Sequence, residues 1–161
     1  MPSPHRALPP SQRVRGFTLL ELLLAVAIGT IVVMVAIPMY NGYLMRSKMA
    51  DAVGEMTRMD AAIENYRASH NELPTALSDV FSPVPKDPWG RDFVYLRLDP
   101  PSRGSRGAAR KDHNLVPINS DYDLYSKGED GRSVGPLTAR HSRDDLIRAN
   151  NGAYFGAASD Y

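Results

Sequence analysis

The residue with the most chemical consequence is Glu21, the one charged side chain between Phe17 and Met39. A carboxylate inside an oily segment is costly unless it is paired or lies at the interface, so it calls for a cation. If the chain is cut between Gly16 and Phe17, the new α-amino group lies four residues from Glu21, one helical turn away. That amine is positively charged in much of its population near neutral pH. Glu21 can then neutralise the amine of its own chain or that of a neighbour packed alongside with an axial offset. In the second case the acid sets the register of a helical polymer. The plainer alternative is a Glu in the headgroup region of an ordinary signal anchor.

A second set of oxygen-bearing residues gathers late in the chain: Asp121, Asp123, Ser126, Glu129, Asp130, Asp144 and Asp145. A hard cation such as calcium takes about six to eight oxygens and can close a loop onto a strand end. The spacing is not that of an EF-hand, and exposed turn acids are the alternative. His70, His113 and His141 are scattered, none in a metal-ligand motif, and neither a nucleophile elbow nor a phosphate-binding glycine loop is present. A membrane-anchored enzyme is therefore disfavoured.

These residues need elements to hold them. Phe17 to Met39 as a helix is about 34 Å long at about 1.5 Å per residue, enough for a hydrocarbon core of about 30 Å, and exceeds the apolar centre of a secretory signal peptide. The segment before it carries Arg6, Arg13 and Arg15, prolines and no acid, which marks the cytoplasmic side and points the C-terminal end of the helix outward. With 161 residues, 43% of them hydrophobic, the chain has room for one membrane segment and one small soluble domain. The net charge of +1 with interspersed signs gives no field favouring nucleic acid. The absence of cysteine excludes a disulfide framework and thiolate metal sites.

Pro38 predicts a kink or local opening, because it cannot donate to the carbonyl of Met34. Beyond it Met45, Met49, Ala52, Val53, Met56, Met59, Ile63 and Tyr66 recur every three or four residues. Arg46, Lys48, Asp51, Glu55, Arg58, Asp60, Glu64 and Arg67 lie between them, so the helix continues in amphipathic form, its methionines core and not a cofactor box. Asn71 to Pro74 ends it. Thr75 to Pro88 reads as a proline-rich loop with one helical turn, and Asp87-Pro88-Trp89-Gly90 as a turn burying the only tryptophan. Strands are expected over Asp92 to Leu98, Leu115 to Ile118 and Tyr122 to Ser126. The Arg-, Gly- and Ser-rich stretch from Pro100 to Asp112 reads as a mobile loop whose Arg103, Arg106, Arg110 and Lys111 sit at a solvated hairpin tip. From Ser126 onward there is little periodicity, though Asn151-Gly152 suits a tight turn that packs Tyr154 and Phe155 back on the head. The fold class expected is α+β: a long, partly transmembrane N-terminal helix packed on a small antiparallel three-stranded sheet with a long C-terminal loop.

Arg15-Gly16-Phe17-Thr18-Leu19-Leu20-Glu21 resembles the type IV prepilin cleavage and methylation motif, and Pro38 matches the proline of the pilin stem helix. The resemblance implies that prepilin peptidase cuts after Gly16, that Phe17 becomes the N-methylated first residue and that Glu21 is the acid needed for assembly. Asp87-Pro88-Trp89-Gly90, Tyr122 to Ser126, Gly128-Glu129-Asp130-Gly131 and Asp144-Asp145 together look like the head of the type II secretion major pseudopilin family, general secretion pathway protein G. That likeness implies a calcium ion held by the Leu124 carbonyl, Ser126, Asp130, Asp144 and Asp145. The long stretch between Asp130 and Asp144 and the ending from Arg148 to Gly156 depart from its pattern.

The division implied is a cleaved leader over 1–16, the transmembrane and assembly half of the stem over 17–40, and a periplasmic head over 41–161. The head holds the amphipathic helix 41–71, then a β region and C-terminal loop over 72–161. The expected role is a structural subunit, a helical homopolymer in the inner membrane and periplasm that drives protein export across the outer membrane. Its implied partners are prepilin peptidase, an inner-membrane assembly platform and minor pseudopilins. A type IV pilus subunit is the close alternative, and a tethered calcium-binding module that never polymerises is a third reading.

Overall fold

The computed structural model describes residues 16–100 and 103–161, so the expected leader lies outside the described residues except for Gly16. The described residues fall into two compact units that divide between Asn41 and Gly42. Helix α1 (Leu19–His70) begins in the first and continues into the second, passing through Pro38. Its β-branched residues, such as Ile31, Val32, Val33 and Val35, are weak helix formers in water, whereas an apolar medium forces every backbone group to be satisfied within its own segment. In the first unit every described residue is exposed. An apolar rod whose described residues are all exposed needs lipid or other helices to cover it.

In the second unit the helix turns amphipathic as the spacing predicts. Ala52, Met56, Met59 and Ile63 are fully buried and meet Leu73, Leu77, Phe93, Tyr122, Leu124, Leu146 and Ala157 in the main core. The helix stops at Asn71, whose φ of 58° reverses the chain ahead of Pro74, with Arg67 and His70 in the last turn facing the negative end of the helix dipole. A single 3-10 turn, Leu77–Asp79, follows, fixed by the Asp79 carboxylate, which accepts from the Thr75 and Ala76 backbone N–H groups at 2.9 and 3.0 Å and from the Thr75 hydroxyl at 2.7 Å.

The sheet is antiparallel in the order β1 (Val94–Arg97), β2 (Tyr122–Ser126), β3 (Leu146–Ala149), β4 (Tyr154–Ala157). The α+β class stands, but the sheet has four strands and not three. Leu115 to Ile118 is not one of them: Leu115 and Val116 are 49% and 55% exposed, and Pro117 cannot donate to a ladder. Two strands come instead from the expected C-terminal loop. β3 is buried at all four positions, because Leu146 faces the main core while Ile147 and Ala149 face a second cluster with Ile118, Leu137 and Ala158. The turn at Asn151-Gly152 is present, with Asn150, Asn151 and Gly152 at φ of 53°, 55° and 89°. The stretch expected to be a mobile loop contains a short helix, α2 (Arg103–Ala108).

Candidate functional site

At the N-terminal end, Thr18 opens α1. The Glu21 backbone N–H donates to the Thr18 hydroxyl at 3.2 Å, and the Leu22 N–H to the Thr18 carbonyl at 3.1 Å. Thr18-Leu19-Leu20-Glu21 therefore has the Thr-x-x-Glu pattern of a helix start, with Glu21 in the first turn where the dipole favours an acid. Phe17, just outside the helix, is 82% exposed. The expected cleavage pair Gly16 and Phe17 thus precedes the cap, and Glu21 has no cationic partner among the described residues. An acid that is unpaired on an apolar rod is chemically suited to meet a cation from another chain.

In the head, the short motifs converge. Asp87 is buried; its carboxylate accepts from the Trp89 and Arg91 N–H groups at 3.0 and 2.8 Å and from the Ser126 hydroxyl at 2.7 Å. Gly90 closes the turn at φ 82°, its N–H on the Asp87 carbonyl at 2.8 Å. Arg91 then reaches the carbonyls of Gly128 and Glu129 at 2.5 and 2.7 Å. The Asp-Pro-Trp-Gly turn is in this way a clamp on the end of β2.

Gly128 is the point of closest approach in the loop after β2. Its φ is 59°, and a Cβ there lies 2.1 Å from the Asp144 carbonyl oxygen. Gly128→Ala is expected to cost about 3 kcal/mol or more, from left-handed strain plus a backbone clash. At Gly131 the nearest obstacle is the movable end of Arg91 at 2.9 Å, so Gly131→Ala should cost about 1 kcal/mol. Thermal unfolding of the full-length chain in detergent compares the two; equal midpoints would remove the close-approach argument.

The five residues expected to hold calcium are all engaged within the fold. Leu124 is fully buried in mid-β2, paired with Tyr95. Ser126 donates to Asp87. Asp130 accepts from the Arg132 N–H at 2.6 Å, which holds its carboxyl below the usual range, and lies 3.3 Å from His141. Asp144 accepts the Asp130 N–H at 2.9 Å. Asp145, fully buried, takes the Arg110 guanidinium at 2.5 Å and the Ser133 hydroxyl at 2.6 Å. Burial pushes its carboxyl up to about 6, against the pull of Ser133 and Arg110. Among the described residues no group of three or more His, Asp or Glu side chains is placed to hold a metal ion. Asp145, turned to Arg110, thus stands apart from Asp130 and Asp144, which meet each other.

Two arginines, Arg110 and Arg148, are buried. Arg110 is not at a solvated hairpin tip; it is 2% exposed, beneath the loop after β2. Arg148 of β3 is 2% exposed as well and donates to Asp60 at 2.5 Å, to both Asp121 oxygens at 2.8 Å and to the Tyr122 carbonyl at 3.1 Å. Its guanidinium lies 3.9 Å from the centroid of the Tyr122 ring, whose hydroxyl also donates to Asp60, at 2.5 Å. Asp60, which the helical pattern set on the solvent face, adds a polar tie between α1 and the sheet to the apolar packing of Met56, Met59 and Ile63. Only its adjacency to Met59 and Ile63 hinted at that.

A stem that is apolar and uncovered, capped at a Thr-x-x-Glu start and continued into a four-stranded α+β head, defines a pilin-like subunit. The family model for the prokaryotic N-terminal methylation motif matches residues 11–37. Type IV major pilin protein PilE of Neisseria gonorrhoeae is 33% identical over 144 residues, 84% of this chain and 83% of its own length. Type II secretion system core protein G of Klebsiella pneumoniae is 27% identical over 145 residues, 84% of this chain and 94% of its own. The Escherichia coli K12 protein of the same name is 25% identical over 142 residues, 75% and 86% of the two chains. No solved structure matches significantly. The chain belongs to the type IV pilin and pseudopilin superfamily, and within it resembles type II secretion system core protein G.

Proposed function

We propose that this chain is a structural, non-catalytic subunit of a type II secretion pseudopilus. It is inserted in the inner membrane with its head in the periplasm, trimmed by prepilin peptidase after Gly16, methylated on Phe17 and polymerised through α1. The observation that carries this reading is the combination of Glu21 in the first turn of an uncovered apolar helix with a likeness to core protein G that spans stem and head. An inner-membrane assembly platform and minor pseudopilins are the partners such a subunit requires.

Intact-mass measurement of the mature protein is expected to give a chain beginning at Phe17 and carrying one methyl group. A retained arginine-bearing leader would leave a plain signal anchor. The identity to the gonococcal pilin favours a second reading, a surface pilus subunit. Deletion separates the two: loss of protein export with unchanged surface fibres supports the pseudopilus, and loss of fibres with intact export supports the pilus.

A further inference from the structure

The resemblance places a divalent cation between the end of β2 and the loop that follows it, and in this chain a guanidinium bonds to residues of that same loop. Arg110 comes from the connection between β1 and β2, and its guanidinium binds three residues of loop 127–145. One terminal nitrogen donates to Asp145 at 2.5 Å; the other donates to the Ser133 hydroxyl and the Val134 carbonyl at 2.5 and 2.7 Å. Tyr125 of β2 lies under the guanidinium at 4.4 Å. The backbone around Arg110 is fixed too. Its N–H donates to the buried Asp123 carboxylate at 2.7 Å and its carbonyl accepts from Ile118 at 3.1 Å, while Lys111 exchanges bonds with Gly135 and Leu137 at 3.2 and 2.9 Å.

We propose that the Arg110 guanidinium fastens the loop to β2 in place of calcium, so that this head folds and holds without a divalent ion. The donor set argues the same way. One Asp145 oxygen takes Arg110 and Ser133, while its second oxygen and the Arg110 Nε are buried without a hydrogen-bond partner. Calcium takes about six to eight oxygens, and among the described residues no three acidic side chains gather to begin such a shell. A divalent ion beside the guanidinium would also meet like-charge repulsion in a poorly solvated place. Arginine suits the position because its planar fork delivers several donors in fixed directions and keeps its charge at all ordinary pH.

The test uses the full-length chain in detergent, with unfolding followed through Trp89, the only tryptophan. Wild type is expected to melt at the same temperature with a calcium chelator as with added calcium, and to retain no stoichiometric calcium after dialysis. Arg110→Gln is expected to melt roughly 10 °C lower or more, and Arg110→Lys in between, because it keeps the charge and loses the fork. A chelator-induced drop of several degrees in wild type, or one tightly held calcium per chain, overturns the proposal. If Arg110→Gln fails to fold, the wild-type chelation and metal-content measurements still decide. Neither readout depends on polymerisation, so failure here is distinguishable from failure of the pseudopilus reading.

Discussion

Replacement of Glu21 by alanine is expected to leave membrane insertion and removal of the leader largely intact while abolishing or disordering the filament. The helix start survives, because the bond that caps it runs from the Glu21 backbone to the Thr18 hydroxyl and does not involve the carboxylate. Only the side-chain charge disappears. In a filament, the amine of Phe17 is then left without its counter-ion among packed apolar helices, at a cost of about 3 kcal/mol per subunit, or roughly a hundredfold in the affinity of each addition. Glu21→Gln should fail nearly as badly, since it keeps shape and polarity but not charge. Electron microscopy of sheared material, alongside the mass of the processed chain, reads both halves of the expectation. Normal filaments from Glu21→Ala would refute the pairing.

The second large effect belongs to Arg148, and it concerns the folded head. Burial works against a charged guanidinium there, yet Asp121, Tyr122 and Asp60 together hold it firmly protonated. Removing one member of a buried charge cluster leaves the others uncompensated in a poorly solvated place. Arg148→Met keeps much of the stem's volume and strands the Asp60 and Asp121 carboxylates, so it should cost about 3–5 kcal/mol, a large part of the roughly 5–15 kcal/mol that holds a typical domain together. Asp60→Asn should cost less, about 1–2 kcal/mol, because the amide oxygen can still accept from Arg148 and Tyr122, only the charge at the partly exposed edge of the cluster is lost, and Asp121 stays with the arginine. Urea titration of the full-length chain in detergent should rank the variants in that order. An Arg148→Met midpoint equal to wild type would mean that the cluster does not join α1 to the sheet.

How far such effects were visible beforehand depended on the kind of signal. The apolar stretch and the methionine stripe are local signals, each set by composition or by a period of three to four residues, and α1 follows both through residue 70. The turns at Asp87–Gly90 and Asn150–Gly152 were equally local, since their residues tolerate the backbone angles required. β1 and β2 showed alternation or aromatic clustering. β3 did not, because a strand buried on both faces has no alternation to show, and Leu-Ile-Arg-Ala contains an arginine that reads as solvent-facing.

The sequence by itself determined where the oily rod begins, that its one acid stands a helical turn from a potential new amine, and which helix face the head covers. These follow from residue type and short-range spacing, which act before any long-range contact exists. Only the tertiary structure decided which charges leave water. Arg110 and Arg148 look like ordinary hydrophilic residues until residues 35 and 88 positions away, Asp145 and Asp60, are folded against them. A guanidinium is stable out of water only where several acceptors are held around it at once, and that arrangement is made by the packing of helix, strands and loop, not by any one segment.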